Sequence, residues 1–195
     1  MAGNLERLLS EIRACRICEK HLPLGPRPVL HAAASARLVI IGQAPGTKVH
    51  ESGVPWDDAS GEPLRSRLGL DPEHFYDESR VAIVPMGFCY PDVAKNGGDK
   101  PPRPECAAAW HGLLLEHLED VDLTLLVGSY AQKYYLGREM RRTMTETVAD
   151  WRNYLPSLLP LPHPSWRNTA WLKKNIWFDS ELVPELRRRV RKLSR

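Results

Sequence analysis

Short apolar segments that alternate with helical patterns constrain the fold of this chain more than any other feature. Residues 37–42 form a continuous apolar run, and similar runs follow at about 81–86, 122–128 and 157–161. Continuous apolar strands are typical of a parallel sheet that is buried on both faces. Helical spacing lies between the runs, so the sequence predicts a three-layer α/β/α fold with a central, mostly parallel four-stranded sheet.

Length and composition favour a soluble protein with one domain over residues 1–195, with 43% hydrophobic and 26% charged residues. No run approaches the roughly 18 apolar residues of a membrane span, and the N-terminus lacks the pattern of a signal peptide. We therefore expect a cytoplasmic monomer with no membrane partner. The net charge of +3 is compatible with nucleic-acid binding. The basic run 187–195 suits either phosphate contacts or a solvated helix end.

The first apolar run ends in a segment, residues 42–61, that has the chemistry of a ligand site. Glycines on both sides of a proline let backbone N–H groups approach a ligand closely. Trp56 then stands beside Asp57 and Asp58, and an aromatic face with a carboxylate suits a planar base and a sugar that becomes positive. The same residues also suit a tight turn followed by a helix N-cap at Asp58 or Ser60.

Residues 162–168 follow the fourth apolar run and offer a second set of functional side chains. His163 lies between two prolines on a stiff loop, where a neutral imidazole can donate a hydrogen bond to an oxygen that becomes anionic. Ser165 can hold a phosphate, and Trp166 with Arg167 can flank or enter a DNA stack. The alternative is an ordinary proline turn with a surface histidine.

The four cysteines form a third pattern. Cys15 and Cys18 are separated by two residues, whereas Cys89 and Cys106 bracket a long loop rich in proline. A cytosolic chain of this size rarely uses four cysteines as two disulfides. Four thiolates can close a tetrahedral zinc site or hold a 4Fe–4S cluster, and free buried thiols are the remaining alternative.

Taken together, these segments resemble the uracil-DNA glycosylase superfamily, and most closely its iron–sulfur branches, families four and five. Those branches have an early Cys-x-x-Cys, a Gly-x-(Ala/Gly)-Pro-(Gly/Ala) loop, an aromatic-containing loop ending near Ser-Gly, two later cysteines and a His-Pro motif. All of these stand here in that order, between about residues 12 and 168. The resemblance implies a monofunctional base-excision repair enzyme. It would hydrolyse the N-glycosidic bond of uracil, or of a related deaminated base, in DNA and leave an abasic site.

The resemblance also implies roles for individual residues. Asp58 matches the catalytic acid, with Asp57 as the competing candidate, and His163 matches the histidine that donates to the leaving base. Trp56 takes the position of the aromatic residue that stacks on the flipped base. The predicted base- and DNA-binding residues are Gly42, Gln43, Ala44, Pro45, Gly46, Trp56, Met86, Ser165, Trp166, Arg167 and Asn168. The predicted ligands of a structural 4Fe–4S cluster, or alternatively of zinc, are Cys15, Cys18, Cys89 and Cys106.

Two positions depart from the family pattern. Ala44 stands where many members have aspartate or asparagine, a change that family five tolerates. Pro85 stands where several branches have an asparagine that reads the uracil edge, and proline offers no N–H or side-chain donor. Uracil, hypoxanthine and xanthine therefore stay open as substrates, and Met86, Phe88 and Tyr90 predict an apolar pocket. The competing functions are a nucleic-acid-binding protein that keeps the fold and cluster without catalysis, and a hydrolase of free nucleosides.

Overall fold

A parallel sheet forms the centre of the protein. The computed structural model describes residues 2–95 and 97–193. Within those residues the strands are β1 Leu38–Ile41, β2 Val81–Ile83, β3 Leu123–Val127 and β4 Leu158–Leu161. They lie side by side in the order β2-β1-β3-β4, and every neighbouring pair is parallel. The predicted four-stranded parallel sheet is confirmed, whereas the expectation of one domain over residues 1–195 stays a prediction.

The strands form where side chains are apolar and buried. All four residues of β1 and all three of β2 are buried. β2 is shorter than the apolar run at 81–86 indicated. Beyond β2 the chain still follows β1, because the N–H of Val84 donates to the Ile40 carbonyl at 2.9 Å and that of Met86 to the Gly42 carbonyl at 3.0 Å. Pro85, between them, has no N–H, so the pairing of Ile83 with His31 on the outer side of β2 cannot continue there.

Helices cover the sheet, and several of them were not predicted. The α-helices are α1 Ala2–Arg13, α2 Thr47–Ser52, α3 Gly61–Leu68, α4 Pro72–Phe75, α5 Pro104–Leu115, α6 Ser129–Leu136, α7 Met144–Ala149, α8 Thr169–Lys174 and α9 Val183–Leu193. A π-helical turn, Phe178–Leu182, leads into α9. The sequence suggested an irregular loop for residues 42–61 up to α3, and this is wrong, because α2 lies inside that segment. Helices of six residues or fewer, such as α2 and α4, are too short for apolar periodicity to reveal them.

Two buried clusters lie on opposite faces of the sheet and give it three layers. Val39 and Ile41 belong to one cluster together with apolar residues of α1, α5 and α6. Leu38 and Ile40 belong to the other, together with residues of α3, α7 and α9. Alternation of side chains along β1 therefore divides the core between the two helical layers.

The basic C-terminal segment has a structural use in the described residues. The Arg187 side chain donates to the carbonyls of Ser66 and Arg67 at 2.8 and 3.3 Å, which satisfies the end of α3. Arg188 and Arg189 both pair with Glu185 on α9. These contacts favour the helix-end interpretation for the first part of the run, whereas residues 194–195 lie outside the described residues. Among the described helices, the structure contains none with the length and apolar character needed to cross a membrane.

Candidate active site

A cavity of about 560 Å³ opens beyond the carboxyl ends of β1, β2 and β4. Its walls come from residues 42–46 after β1, from Pro85 after β2 and from residues 163–168 after β4. This is the edge at which parallel α/β sheets bind ligands. The predicted site residues that line the cavity are Gly42, Gln43, Ala44, Pro45, Gly46, Trp56, Asp58, His163, Ser165, Trp166, Arg167 and Asn168.

Trp56 is held in place by close contacts with two glycines, Gly42 and Gly61. A Cβ on Gly42 would lie 2.8 Å from the indole atom Cζ2, so the ring packs directly on this backbone. A Cβ on Gly61 would lie 1.8 Å from the Trp56 carbonyl oxygen. Trp56 itself has a φ of 57°, a left-handed conformation that few non-glycine residues adopt. The surroundings therefore fix an unusual backbone that turns the indole into the cavity.

The two oxygens of Asp58 have different environments. Oδ1 accepts hydrogen bonds from the backbone N–H groups of Ser60 and Gly61, at 2.8 and 3.2 Å, at the start of α3. Oδ2 faces residues 42–46. A Cβ atom added to Gly46 would lie 3.9 Å from Oδ2, so this oxygen is close to the Gly46 backbone. The capping and catalytic interpretations of Asp58 are therefore compatible. Asp57 is exposed and does not line the cavity.

His163 is positioned by its neighbours to face Trp56. The two rings lie with their centroids 5.5 Å apart and their planes inclined by 34°. The Asn168 amide donates to the His163 carbonyl at 2.6 Å and braces the loop. Burial lowers the pKa of His163 below its ordinary value, and Arg67 lowers it further while Asp58 acts in the opposite sense. The imidazole is therefore neutral at pH 7 and can donate one N–H.

The rim of the cavity combines cations with an exposed aromatic ring. Trp166 is 76% exposed, and the Arg167 guanidinium lies 5.7 Å from the centre of its ring. The Ser165 hydroxyl accepts the Arg167 N–H at 3.3 Å and caps the short helix Trp166–Asn168. Lys48 is exposed elsewhere on the cavity lining. Cations around an aromatic wedge suit a nucleic-acid backbone.

Met86 does not reach the cavity. Its side chain is buried in the core cluster that also contains Phe88. Phe88 stacks on His111, and Tyr90 packs against His50. The apolar part of the lining comes instead from residues that the sequence did not single out, including Val29 and Ile83. Met86 continues the alternation of Ala82 and Val84, which lie in the same cluster, whereas Ile83 and Pro85 line the cavity, so the period of the strand already places Met86 in the core.

An acidic residue in the long loop was also missed. Asp99 lines the cavity beside Gly98, and the length of the loop at 90–104 was the signal that could have found it. The other unpredicted lining residues are Val29, Thr47, Lys48, Val49, Pro55, Ala59, Ser60, Ile83, Pro85 and Gly98.

Comparison with known proteins assigns the family. The family model of the Uracil DNA glycosylase superfamily matches residues 30–187, which is well over half of the chain. The chain belongs to the uracil DNA glycosylase superfamily. Within this superfamily it is 24% identical over 168 residues to the Type-4 uracil-DNA glycosylase of Thermotoga maritima, which covers 84% of this chain and 83% of that protein.

A solved structure is also similar to this superfamily member. It is a solution NMR structure of a protein from Methanosarcina acetivorans that is provisionally assigned as a uracil DNA glycosylase. The TM-score is 0.48 and the identity 14%, over 86% of this chain and 99% of that one.

The four cysteines of this superfamily member lie away from the cavity, as free thiols. Cys18 and Cys89 pack together with Leu22 in a small buried cluster. Burial, together with the charges of the other cysteines, raises the pKa of Cys89 to about 11 and that of Cys106 to about 12. The four side chains are therefore near enough to influence one another electrostatically. We call Cys15, Cys18, Cys89 and Cys106 the cysteine corner.

Two sulfurs of the cysteine corner already have N–H donors. The Trp110 indole donates to Cys15 Sγ at 3.3 Å, and the Phe88 backbone N–H donates to Cys106 Sγ at 3.3 Å. Such donors favour thiolates, as metal centres require. Within residues 2–95 and 97–193, no three His, Cys, Asp or Glu side chains are gathered closely enough to hold a single metal ion.

Proposed function

We propose that this chain is a monofunctional DNA glycosylase that hydrolyses the N-glycosidic bond of uracil, or of a related deaminated base, and leaves an abasic site. The observation that carries this proposal is the meeting, in one cavity, of the Trp56 ring, a neutral His163 and the Asp58 Oδ2. These groups suit the three parts of the reacting nucleotide: the planar base, the oxygen that gains charge and the sugar. Membership of the superfamily and the 24% identity to a Type-4 enzyme support it.

The geometry suggests how these residues act. The target nucleotide leaves the helix and its base stacks on Trp56. As the bond between C1′ and the base nitrogen breaks, its electron pair moves to the base. A His163 N–H then donates to the oxygen that becomes anionic. The Asp58 carboxylate stabilises the positive charge that develops on the sugar. A water molecule adds to C1′ and loses a proton, which completes the hydrolysis. Trp166 and Arg167, at the exposed rim, fill the space left in the helix.

The identity of the base needs its own argument. Pro85 lines the cavity, and the following N–H groups are already used, since Met86 donates to the Gly42 carbonyl and Gly87 to the Gln43 carbonyl, both at 3.0 Å. In the described part of the chain, the wall at Pro85 therefore offers no free N–H donor to read a base edge. This favours tolerance of several deaminated bases. It also favours the second candidate, a protein that binds damaged nucleic acid without cleaving it.

Excision assays distinguish these functions. Oligonucleotides that contain uracil, hypoxanthine or xanthine are incubated with the protein and treated with alkali, which cleaves at abasic sites. We expect strand cleavage with at least one of them, and its loss in Asp58→Asn, with the exposed neighbour Asp57→Asn as the matched control. Tight binding without cleavage supports the second candidate. Release of base from free nucleosides alone supports a nucleoside hydrolase.

The cysteine corner fits a 4Fe–4S cluster. It offers four thiols in mutual electrostatic contact and N–H donors to two sulfurs. The cluster would be held by Cys15, Cys18, Cys89 and Cys106. It would supply a cross-link between the N-terminal segment and the loop after β2.

Absorption spectroscopy and metal analysis test the cofactor. Freshly purified protein should be brown, with broad absorption at about 400 nm. Colourless protein with one equivalent of zinc contradicts the cluster.

A further inference from the structure

A second carboxylate lines the same cavity as Asp58. Asp99 belongs to the loop between β2 and α5 and is distant from Asp58 in the sequence. A Cβ on Gly46 would lie 4.0 Å from Asp99 Oδ1 and 3.9 Å from Asp58 Oδ2. The two oxygens therefore flank the same small volume next to the Gly46 backbone.

Contacts on both sides of Asp99 hold it at this place. Asp99 pairs with Val93 in an antiparallel bridge, and the Ala94 N–H donates to the Gly98 carbonyl at 2.7 Å. On the other side, the Gln43 amide approaches the Lys100 carbonyl at 3.5 Å, which ties the loop to the glycine segment after β1. The loop is thus anchored to itself and to the opposite wall of the cavity.

The facing oxygens of the two carboxylates are free to bind a small ligand. Among the described residues, Asp99 accepts no hydrogen bond and forms no ion pair, and Asp58 uses only Oδ1. Asp92, in the same loop, differs in both respects: it pairs with Lys100 and accepts the Val93 N–H. The loop therefore has one carboxylate that stabilises its shape and one that it turns to the cavity.

We propose that Asp99 is a second catalytic residue, which holds the attacking water together with Asp58 and accepts its proton. This inference rests on the proposed glycosylase function. The water oxygen forms a bond to C1′ while the bond from C1′ to the base breaks. The electron pair of the broken bond leaves with the base, and one water proton passes to the Asp99 carboxylate.

The surroundings suit Asp99 to the role of base and Asp58 to that of charge stabiliser. Burial raises the pKa of Asp99 above its ordinary value, and Asp58 raises it further, while Arg167 acts in the opposite sense. A carboxylate with a raised pKa takes a proton from water more readily. Asp58 is fixed by two backbone N–H groups and lies in the wall that carries Trp56, so it is placed to remain beside the sugar.

Single-turnover excision by Asp99→Asn tests the proposal, with enzyme in excess over an oligonucleotide that the wild type cleaves. We expect the rate of base release to fall about 100-fold, with affinity for the oligonucleotide little changed. Asp92→Asn is the matched control, because it removes a charge from the same loop outside the cavity while its amide oxygen can still accept the Val93 N–H that helps to shape the loop. Its rate should stay near that of the wild type.

The pH profile gives a second readout. The wild-type rate falls at low pH as Asp99 is protonated, since the base must be ionised to act. Asp99→Asn removes this group with its raised pKa. The acid limb of the profile should therefore move to lower pH.

A third variant tests whether the two carboxylates act on one water. Asp58→Asn with Asp99→Asn should lose little more rate than Asp58→Asn alone, because groups that act as a unit are not additive. Asp99→Asn with a wild-type rate, an unmoved acid limb or only weaker DNA binding overturns the role of Asp99. In each of these cases the wild type still excises a base. A wild type that excises none of the bases overturns the proposed function instead.

Discussion

The active-site cavity, called the cleft below, and the cysteine corner represent two different ways of building a functional region. In the cleft, each reactive group is fixed by contacts within the protein: Trp56 by Gly42, Asp58 by the start of α3 and His163 by Asn168. In the cysteine corner the thiols are held close together, but in the described residues they do not enclose a metal ion. The cleft is therefore organised without a ligand. The corner would gain its organisation from the cluster that we propose it binds.

This difference predicts that the two regions respond to substitution in opposite ways. A change in the cleft should lower the rate of excision and leave the free energy of unfolding nearly unchanged. A change in the corner should lower stability and leave the rate per folded molecule nearly unchanged.

The largest effect is expected at Asp58. Asp58→Asn should lower the single-turnover excision rate about 1000-fold, because the negative charge beside the sugar is lost. The amide oxygen can still accept from Ser60 and Gly61, so the melting temperature should stay close to that of the wild type. Asp58→Ala should lose the same activity and also about 1 kcal/mol of stability. Similar melting temperatures for Asn and Ala would contradict the capping role.

Substitution in the cysteine corner should reverse the pattern. Cys106→Ser should abolish the absorption near 400 nm and lower stability by about 3 kcal/mol or more, seen as a fall of about 10 °C in melting temperature. Excision per folded molecule should stay within about threefold of the wild type. Trp110→Phe removes only the N–H donor to Cys15 and should keep the colour. Loss of activity in Cys106→Ser at a temperature where it is folded would break the comparison.

His111 lies between the cleft and the cysteine corner, and it should make the stability of the protein depend on pH. Its Nε2–H donates to the Pro85 carbonyl in the cleft wall at 3.1 Å, Nδ1 accepts from the Tyr135 hydroxyl at 2.6 Å, and its ring stacks on Phe88. Burial lowers its pKa from 6.5 to about 4. Between these values the unfolded chain binds the extra proton, so stability is full above pH 6.5 and is lost as the pH falls towards 4.

The loss at His111 should reach about 3 kcal/mol, measured by denaturant unfolding across this pH range. His31 has a pKa lowered to about 4 by burial and should add a similar loss. His111→Gln should remove the contribution of His111 to the slope. Tyr135→Phe should lower stability at every pH but keep the slope, and a slope that His111→Gln leaves intact would contradict this assignment.

The smallest effect is expected at the rim. Trp166→Ala with Arg167→Ala should slow excision from duplex DNA about tenfold and excision from single strands much less, because only the duplex leaves a gap to fill. Ile176→Ala is the control, since Ile176 is 74% exposed but lies outside the cavity. Equal losses on the two substrates would remove the wedge role.

The regular parts of the fold could be predicted from the sequence because they repeat a local pattern. The apolar runs predicted the four strands. The ordered motifs predicted that Trp56, Asp58 and His163 share one site, and all three line the cavity. Helix α7 was missed although it begins with a capping box between Thr143 and Glu146. Its six residues are too few for the apolar periodicity of a helix to be recognised in the sequence.

The position of Asp99 could not be predicted in the same way. Asp99 reaches the cavity through a loop whose path depends on hydrogen bonds to distant residues, such as that between Gln43 and Lys100. Loop positions of this kind depend on tertiary contacts, which a single sequence does not display.

The divided environment of Asp58 has a practical consequence for isolating substrates. Exchange of its carboxylate for an amide replaces one oxygen, Oδ2, by nitrogen and preserves the acceptor at the beginning of α3. A protein changed in this way should fold, bind DNA and hold the extruded nucleotide without releasing its base. The variant could capture DNA that contains the damaged base. Sequencing of the captured DNA would then identify the preferred base directly.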